Sequence, residues 1–286
     1  MKIEGIWLPI VTPFKDGEVD LKSYEKLLNH YISEGITGVM PLATTGETPT
    51  LTELEYEKVL DKTVEVCKDK VYVFAGVGGN NTKAVVDKVK VVEKHGVNGI
   101  LSVSPYYNRP DQRGIYEHFN SISENTDLDI VLYNIPYRTG RNIENETLFK
   151  LGEKKNIIGV KDASGDFNKT IDLLLNRPDN FSVLSGEDMF FYNSMLLGGD
   201  GGVMASAHLR TKDFIKVYND IKNNDYKKAL ETWKDLAKMI PLLFKEPNPT
   251  PIKYLLGRKG LIDSGEVRLP LVEITDELKK ELEFLV

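Results

Sequence analysis

Cysteine is almost absent: Cys67 stands alone in 286 residues, which excludes an intrachain disulfide and any site built on several thiolates. A reducing compartment suits such usage. Basic charge is not in excess either. The 37 Lys and Arg against 43 Asp and Glu leave a formal charge of -6, and no cluster of basic residues is interleaved with aromatics, so no nucleic-acid partner is expected. An anionic substrate would have to be met by local cations. Long apolar runs are lacking as well. No stretch is long enough to span a bilayer, and the N-terminal Met1-Lys2-Ile3-Glu4-Gly5-Ile6-Trp7-Leu8-Pro9 is interrupted by Glu4, Gly5 and Pro9, so it does not read as a signal peptide. A cytoplasmic protein without a membrane partner is expected. The four histidines, His30, His95, His118 and His208, show no paired metal spacing and read as surface or packing residues, and no G-x-S-x-G elbow is present.

What is there is ordinary for a globular protein: 41% hydrophobic and 28% charged residues, in a chain long enough for one large domain or two smaller ones. Apolar, β-rich runs recur at 5–11, 38–43, 71–77, 99–104, 129–135, 156–161, 181–185 and 200–205, with starts 19 to 33 residues apart. Segments of helical period lie between them. Leu21, Tyr24, Leu27, Leu28, Tyr31 and Ile32 share a face behind Asp20 as N-cap. Thr52 and Glu55 have the spacing of a capping box, Leu51 and Tyr56 that of a staple, and Val59, Leu60, Thr63, Val64 and Cys67 form the inner face. Eight β-α units in about 200 residues fit an α/β fold of the (β/α)8 TIM-barrel kind better than an open doubly wound sheet, which the pattern does not exclude. Residues 1–224 would form the barrel and 225–286 a C-terminal helical extension packed on it.

The run Asn156-Ile157-Ile158-Gly159-Val160 reads as a strand buried on both faces, and it ends on Lys161 before the turn at Ser164-Gly165. Desolvation there would lower the lysine's pKa and supply the neutral amine that a Schiff base requires. A lone strand-end lysine more often snorkels to water. In a barrel, chemistry belongs at the C-terminal ends of the strands, where this chain places Thr44 and Thr45, Tyr106 and Tyr107, Tyr133, Arg138 and Lys161. The turn at Thr44-Thr45-Gly46 offers hydroxyls and amides to a small carboxylate, or is a plain ST-turn. Tyr133 has a phenol of ordinary pKa about 10, which passes protons only within a hydrogen-bonded chain and otherwise packs. Arg138 would clamp a carboxylate, or form a surface ion pair. Two glycine-rich stretches are decoys. Gly76-Val77-Gly78-Gly79-Asn80-Asn81 lacks the third glycine of a dinucleotide fingerprint, and Gly198-Gly199-Asp200-Gly201-Gly202 precedes a strand and reads as a tight turn.

Five ordered motifs then carry a family: Ala43-Thr44-Thr45-Gly46-Glu47, Ser104-Pro105-Tyr106-Tyr107-Asn108, Tyr133-Asn134-Ile135-Pro136-Tyr137-Arg138-Thr139-Gly140, Gly159-Val160-Lys161-Asp162 and Glu246-Pro247-Asn248-Pro249. Together they closely resemble the dihydrodipicolinate synthases, in the pyruvate-dependent aldolase group of N-acetylneuraminate lyase, and the likeness runs nearly end to end. The resemblance implies that Lys161 forms the Schiff base with pyruvate and that Tyr133 donates and accepts protons. Thr44 and Tyr107 would complete the relay, with Tyr107 lent by a neighbouring subunit of a homotetramer, a dimer of dimers. Thr45 would bind the carboxylate of pyruvate, Arg138 that of aspartate semialdehyde, and Gly186 and Val203 would line the pocket with backbone. No metal or organic cofactor would be needed. The sibling reading, an aldolase acting on N-acetylneuraminate or a 2-keto-3-deoxy sugar acid, is disfavoured by Arg138 and by the threonine pair. Family members often carry Gly, Glu and Ile at Ala43, Asp162 and Val203. Lysine-inhibited relatives have a glutamate where this chain has Ala84 and histidines where it has Glu53 and Tyr56, although Asn80 and Tyr106 match, so weak or absent feedback inhibition is implied.

Overall fold

The computed structural model describes residues 2–286. Eight parallel strands close into a barrel in the order β1 (Gly5–Leu8), β10 (Gly201–Val203), β9 (Ser182–Ser185), β8 (Ile157–Asp162), β7 (Asp129–Asn134), β6 (Gly99–Val103), β5 (Tyr72–Gly76) and β4 (Gly38–Val39). All eight expected strands are found, most with trimmed ends, while β8 runs one residue beyond its expected end, to Asp162. The first stops at Leu8 because Pro9 has no N–H for a ladder, and the second stops at Val39, ahead of Pro41 and of Leu42 with φ +59°. A two-stranded hairpin, β2 (Phe14–Lys15) and β3 (Glu18–Val19), was not anticipated; Asp16 and Gly17 at its turn have φ +54° and +83°, the signature of a primed turn.

The helices are α1 (Leu21–Glu34), α2 (Glu53–Cys67), α3 (Thr82–Glu93), α4 (Gln112–Ser123), α5 (Pro136–Thr139), α6 (Asn145–Gly152), α7 (Phe167–Asn176), α8 (Phe191–Leu196), α9 (Ala207–Lys222), α10 (Tyr226–Leu243), α11 (Thr250–Arg258) and α12 (Asp276–Leu282). Asp20 caps α1 through the amides of Lys22 and Ser23, and the Thr52–Glu55 capping box at α2 is complete. None of the helices is long and apolar enough to cross a membrane, among the described residues.

Two compact units share the chain. One holds the residues up to Gly5 and Phe74–Val203, the other Ile6–Val73 and Met204–Val286, and the chain passes between them within β1, within β5 and after β10. The first unit contains the longest ladders, β6 with β7 and β7 with β8, in which Tyr133 pairs with Lys161 and Asn134 with Asp162. Gly201 is required here: a Cβ would lie 2.1 Å from the carbonyl oxygen of Gly5, so the end of the glycine-rich stretch, expected as a turn ahead of the strand, forms the start of β10 and serves close strand approach. The second unit buries Tyr24, Leu27, Leu28 and Tyr31 of α1, Val59, Leu60 and Cys67 of α2, and Phe214, Trp233 and Leu236 of α9 and α10. Burial pushes the Cys67 thiol up to about 12, as expected of a packing residue. His208 belongs to the same core. Its Nδ1 lies 2.8 Å from the Ala205 carbonyl and its Nε2 accepts from the Val11 amide, and burial pushes it down to about 4.

Candidate active site

In the first unit the site is built on the ends of β7 and β8. The continuous apolar run Ile157-Ile158-Gly159-Val160 buries β8 on both faces and leaves Lys161 next to last in the strand, 5% exposed. Its Nζ stands 4.2 Å from the centroid of the Tyr133 ring, directly across the ladder. Burial pushes the amine down from 10.5 to about 8, against the carboxylates of Asp188 and Glu187, which pull it up. Lys161 therefore does not snorkel; it is a desolvated amine held against an aromatic face. Gly186, after β9, explains the room for it. A Cβ there would meet Lys161 Cγ at 2.9 Å and Ala163 Cβ at 3.0 Å, while the Gly186 amide donates to the Asp162 carbonyl at 2.7 Å. Only glycine lets the backbone of that loop lie on the lysine stem.

Asp162, one residue on, is a hub that sequence reasoning passed over. It accepts from Asn134 Nδ2 (3.1 Å), Thr170 Oγ1 (2.7 Å), and the Oγ (3.0 Å) and amide (3.3 Å) of Ser164. Burial raises its carboxyl above the ordinary value while these donors pull it down. It ties β7, β8 and α7 together at the position of the lysine. Asn134 extends the network, donating to Asn142 Oδ1 at 2.8 Å and accepting from the Ile143 amide at 3.0 Å.

Arg138 is exposed on α5, its Cζ 5.0 Å from the Tyr137 ring centroid. The loop after β6 carries Tyr106 and Tyr107. It is pinned by Asn108 Nδ2 on the Asn80 carbonyl (3.0 Å) and Arg109 Nε on the Gly140 carbonyl (2.9 Å). Tyr107 is 91% exposed and has φ +70°, a left-handed backbone that a side chain rarely adopts. Val203 ends β10 and is buried.

The second unit holds Thr44 and Thr45 in a short turn after β4. Thr12 Oγ1 donates to the Gly46 carbonyl (2.8 Å), Thr48 Oγ1 to the Ala43 carbonyl (3.1 Å), and Asn248 Nδ2 to Thr45 Oγ1 (2.9 Å). Glu47 follows with φ +53°, its carboxylate buried and 2.7 Å from Lys253 Nζ. Burial pushes Lys253 down to about 8, and its ammonium also lies 4.1 Å from the Phe14 ring centroid. Neither Glu47 nor Lys253 was singled out in the sequence. The available signal was a lysine placed among Ile252, Leu255 and Leu256 on the apolar side of a helix.

Within each unit the residues expected at a site stand at or just beyond the C-terminal ends of strands, and the first unit holds a buried lysine of lowered pKa. The dihydrodipicolinate synthetase family matches this chain over residues 2–286. The chain belongs to that family. A 4-hydroxy-tetrahydrodipicolinate synthase of Clostridium acetobutylicum is 63% identical, covering 99% of both chains. Among solved structures, the dihydrodipicolinate synthase of Thermotoga maritima superposes with a TM-score of 0.97 at 37% identity, covering 100% of this chain and 98% of that one. The enzyme of Acinetobacter baumannii, solved in complex with pyruvate, does so with a TM-score of 0.94 at 36% identity, covering 99% and 97%. These family structures have the same barrel with C-terminal helices, as the motifs had implied.

Proposed function

We propose that this chain condenses pyruvate with aspartate semialdehyde through a Schiff base on Lys161 to give 4-hydroxy-tetrahydrodipicolinate, in the cytoplasm. The observation that carries the reading is the desolvated Lys161 amine, held against Tyr133 at the end of a barrel strand in a member of this family. The neutral amine adds to the pyruvate carbonyl and water leaves, forming the imine. The imine acidifies the methyl group, whose proton is lost to give an enamine, and the enamine carbon attacks the aldehyde of the second substrate. The new alkoxide takes a proton. The substrate's own amine then adds to the imine carbon and expels Lys161, closing the ring. The lysine is the electron sink throughout.

Tyr133 is the proton carrier of this scheme, with Thr44 and Tyr107 completing the relay. Thr45 receives the pyruvate carboxylate and Arg138 the carboxylate of the semialdehyde, whose charge needs the cation in an acidic chain. Gly186 and Val203 line the pocket with backbone. The exposure and left-handed backbone of Tyr107 support its being seated in a neighbouring copy, within a homotetramer arranged as a dimer of dimers. Sodium borohydride added with pyruvate should leave a reduced adduct on the peptide containing Lys161. Turnover should require aspartate semialdehyde, and cleavage of N-acetylneuraminate instead would overturn the reading.

Lysine should inhibit weakly or not at all. Ala84 supplies no carboxylate for the effector's ammonium, and loss of a charge partner typically costs about 2–5 kcal/mol, enough for at least a roughly thirtyfold loss of affinity. Inhibition by sub-millimolar lysine in the same assay would show that Glu53 substitutes for it.

A further inference from the structure

Three contacts from the C-terminal segment converge on one turn. Asn248 Nδ2 donates to Thr45 Oγ1 at 2.9 Å, Lys253 Nζ to Glu47 Oε1 at 2.7 Å, and the Arg268 amide to Glu47 Oε2 at 3.1 Å. The partners are separated by more than 200 residues. The Arg268 guanidinium is engaged elsewhere, on Glu55 and the carbonyls of Thr50 and Gly17, so Lys253 is the side-chain cation committed to Glu47.

Two features of this arrangement are costly. Both charged side chains are taken out of water, at 0% and 1% exposure, and a buried pair returns little stability over a neutral pair of the same shape. Glu47 also occupies the left-handed region, where a residue with a Cβ persists only if its surroundings hold it. Stability alone is a poor reason for either. What a buried, fully paired carboxylate supplies is a fixed backbone geometry for the residue that bears it, and that residue is two positions from Thr45.

We infer that Lys253 is a positioning residue for pyruvate binding: its buried ion pair with Glu47 fixes the Thr44-Thr45-Gly46-Glu47 turn so that Thr45 is held ready for the substrate carboxylate. The inference rests on the role given to Thr45 above. The pair acts through the turn and does not touch the substrate. Gly46 leaves the turn little freedom to adjust, since a Cβ there would lie 3.2 Å from the Ile10 carbonyl oxygen, and Thr12 already holds its carbonyl.

The test compares wild type, Lys253→Met and the double variant Glu47→Gln/Lys253→Met by thermal melting and by the pyruvate concentration that half-saturates borohydride trapping at Lys161. Lys253→Met strands a buried carboxylate. It is expected to melt lower and to raise the half-saturating pyruvate about tenfold to a hundredfold, the scale of a misplaced binding group, while the extent of trapping at saturating pyruvate is unchanged. The double variant removes both charges. Its melting temperature should return towards wild type while its half-saturation stays raised, a separation that a purely structural role would not produce. Half-saturation that returns together with the melting temperature overturns the inference and leaves the Schiff-base reading intact. If Lys253→Met does not fold, the double variant decides alone. A wild-type protein that forms no adduct at Lys161 removes the reading and the inference together.

Discussion

Lys161→Met is expected to form no adduct with pyruvate, to lose condensation activity by about 10⁴-fold or more, and to melt at a higher temperature than wild type. The gain in stability follows from the same burial that lowers the pKa of the amine. In the folded chain the amine is pushed from 10.5 down to about 8, so the unfolded chain binds the proton more tightly. Stability therefore rises with pH between those two values, and at neutral pH the folded protein carries the cost of a buried charge. The full shift corresponds to roughly 3 kcal/mol, and with the packing change and the loss of a partner for Glu187 and Asp188 a net gain of about 1–2 kcal/mol, a few degrees in Tm, is expected. Lys253, also near 8, titrates in both proteins and cancels in the comparison. Calorimetry at pH 7 and pH 10 should show the variant's advantage shrinking with pH. Equal melting curves at both pH values would mean that Lys161 is not desolvated, and the chemical argument would lose its basis.

The strands of this barrel were legible because parallel strands covered on both faces are written as short, nearly continuous apolar runs, and Lys161 was legible because a cation interrupts one of them. Cys67 and the Thr52–Glu55 box were legible for local reasons, a helical face and a three-residue spacing. Strand ends were not, since they depend on where the ladder fails, as at Pro9 and Leu42. The hairpin at Asp16-Gly17 carried its usual dipeptide signal and was passed over between stronger elements. Other features lay beyond any local pattern. Glu47 and Lys253 are 206 residues apart, and although Lys253 falls on the apolar side of its helix, nothing local names Glu47 as its partner. Asp162 reads as part of a turn, whereas its four donors come from Asn134, Ser164 and Thr170. Pairings of this kind are set by tertiary closure.

Asp162 and Gly186 also show how the fold separates two tasks at Lys161. The carboxylate network fixes the strand end without contributing charge at the amine's own contacts, and the glycine lets a neighbouring loop cover the lysine stem and exclude water from it. The amine nitrogen is left facing an aromatic ring. That arrangement keeps the amine neutral in a useful fraction at physiological pH, about a tenth for a value near 8.

Tyr133→Phe should separate imine formation from the proton transfers that follow it. The ring is 5% exposed and 4.2 Å from Lys161 Nζ, so phenylalanine preserves the packing around the amine and removes only the hydroxyl. Pyruvate should still be trapped on Lys161 by borohydride, while kcat/KM for condensation falls by about 10²–10⁴, the usual contribution of a positioned acid–base group. Loss of trapping would assign Tyr133 to holding the lysine, and near-normal turnover would remove it from the relay. The partner for the hydroxyl can be tested in the same system. If each Tyr107 serves a neighbouring site, mixing Tyr133→Phe with Tyr107→Phe and allowing subunits to exchange restores one complete site in every hybrid dimer. Random pairing then returns about a quarter of wild-type activity from two nearly inactive proteins. Exchange confirmed by mass spectrometry with no recovery of activity would place Tyr107 outside the neighbouring site, and its exposed, left-handed conformation would need another cause.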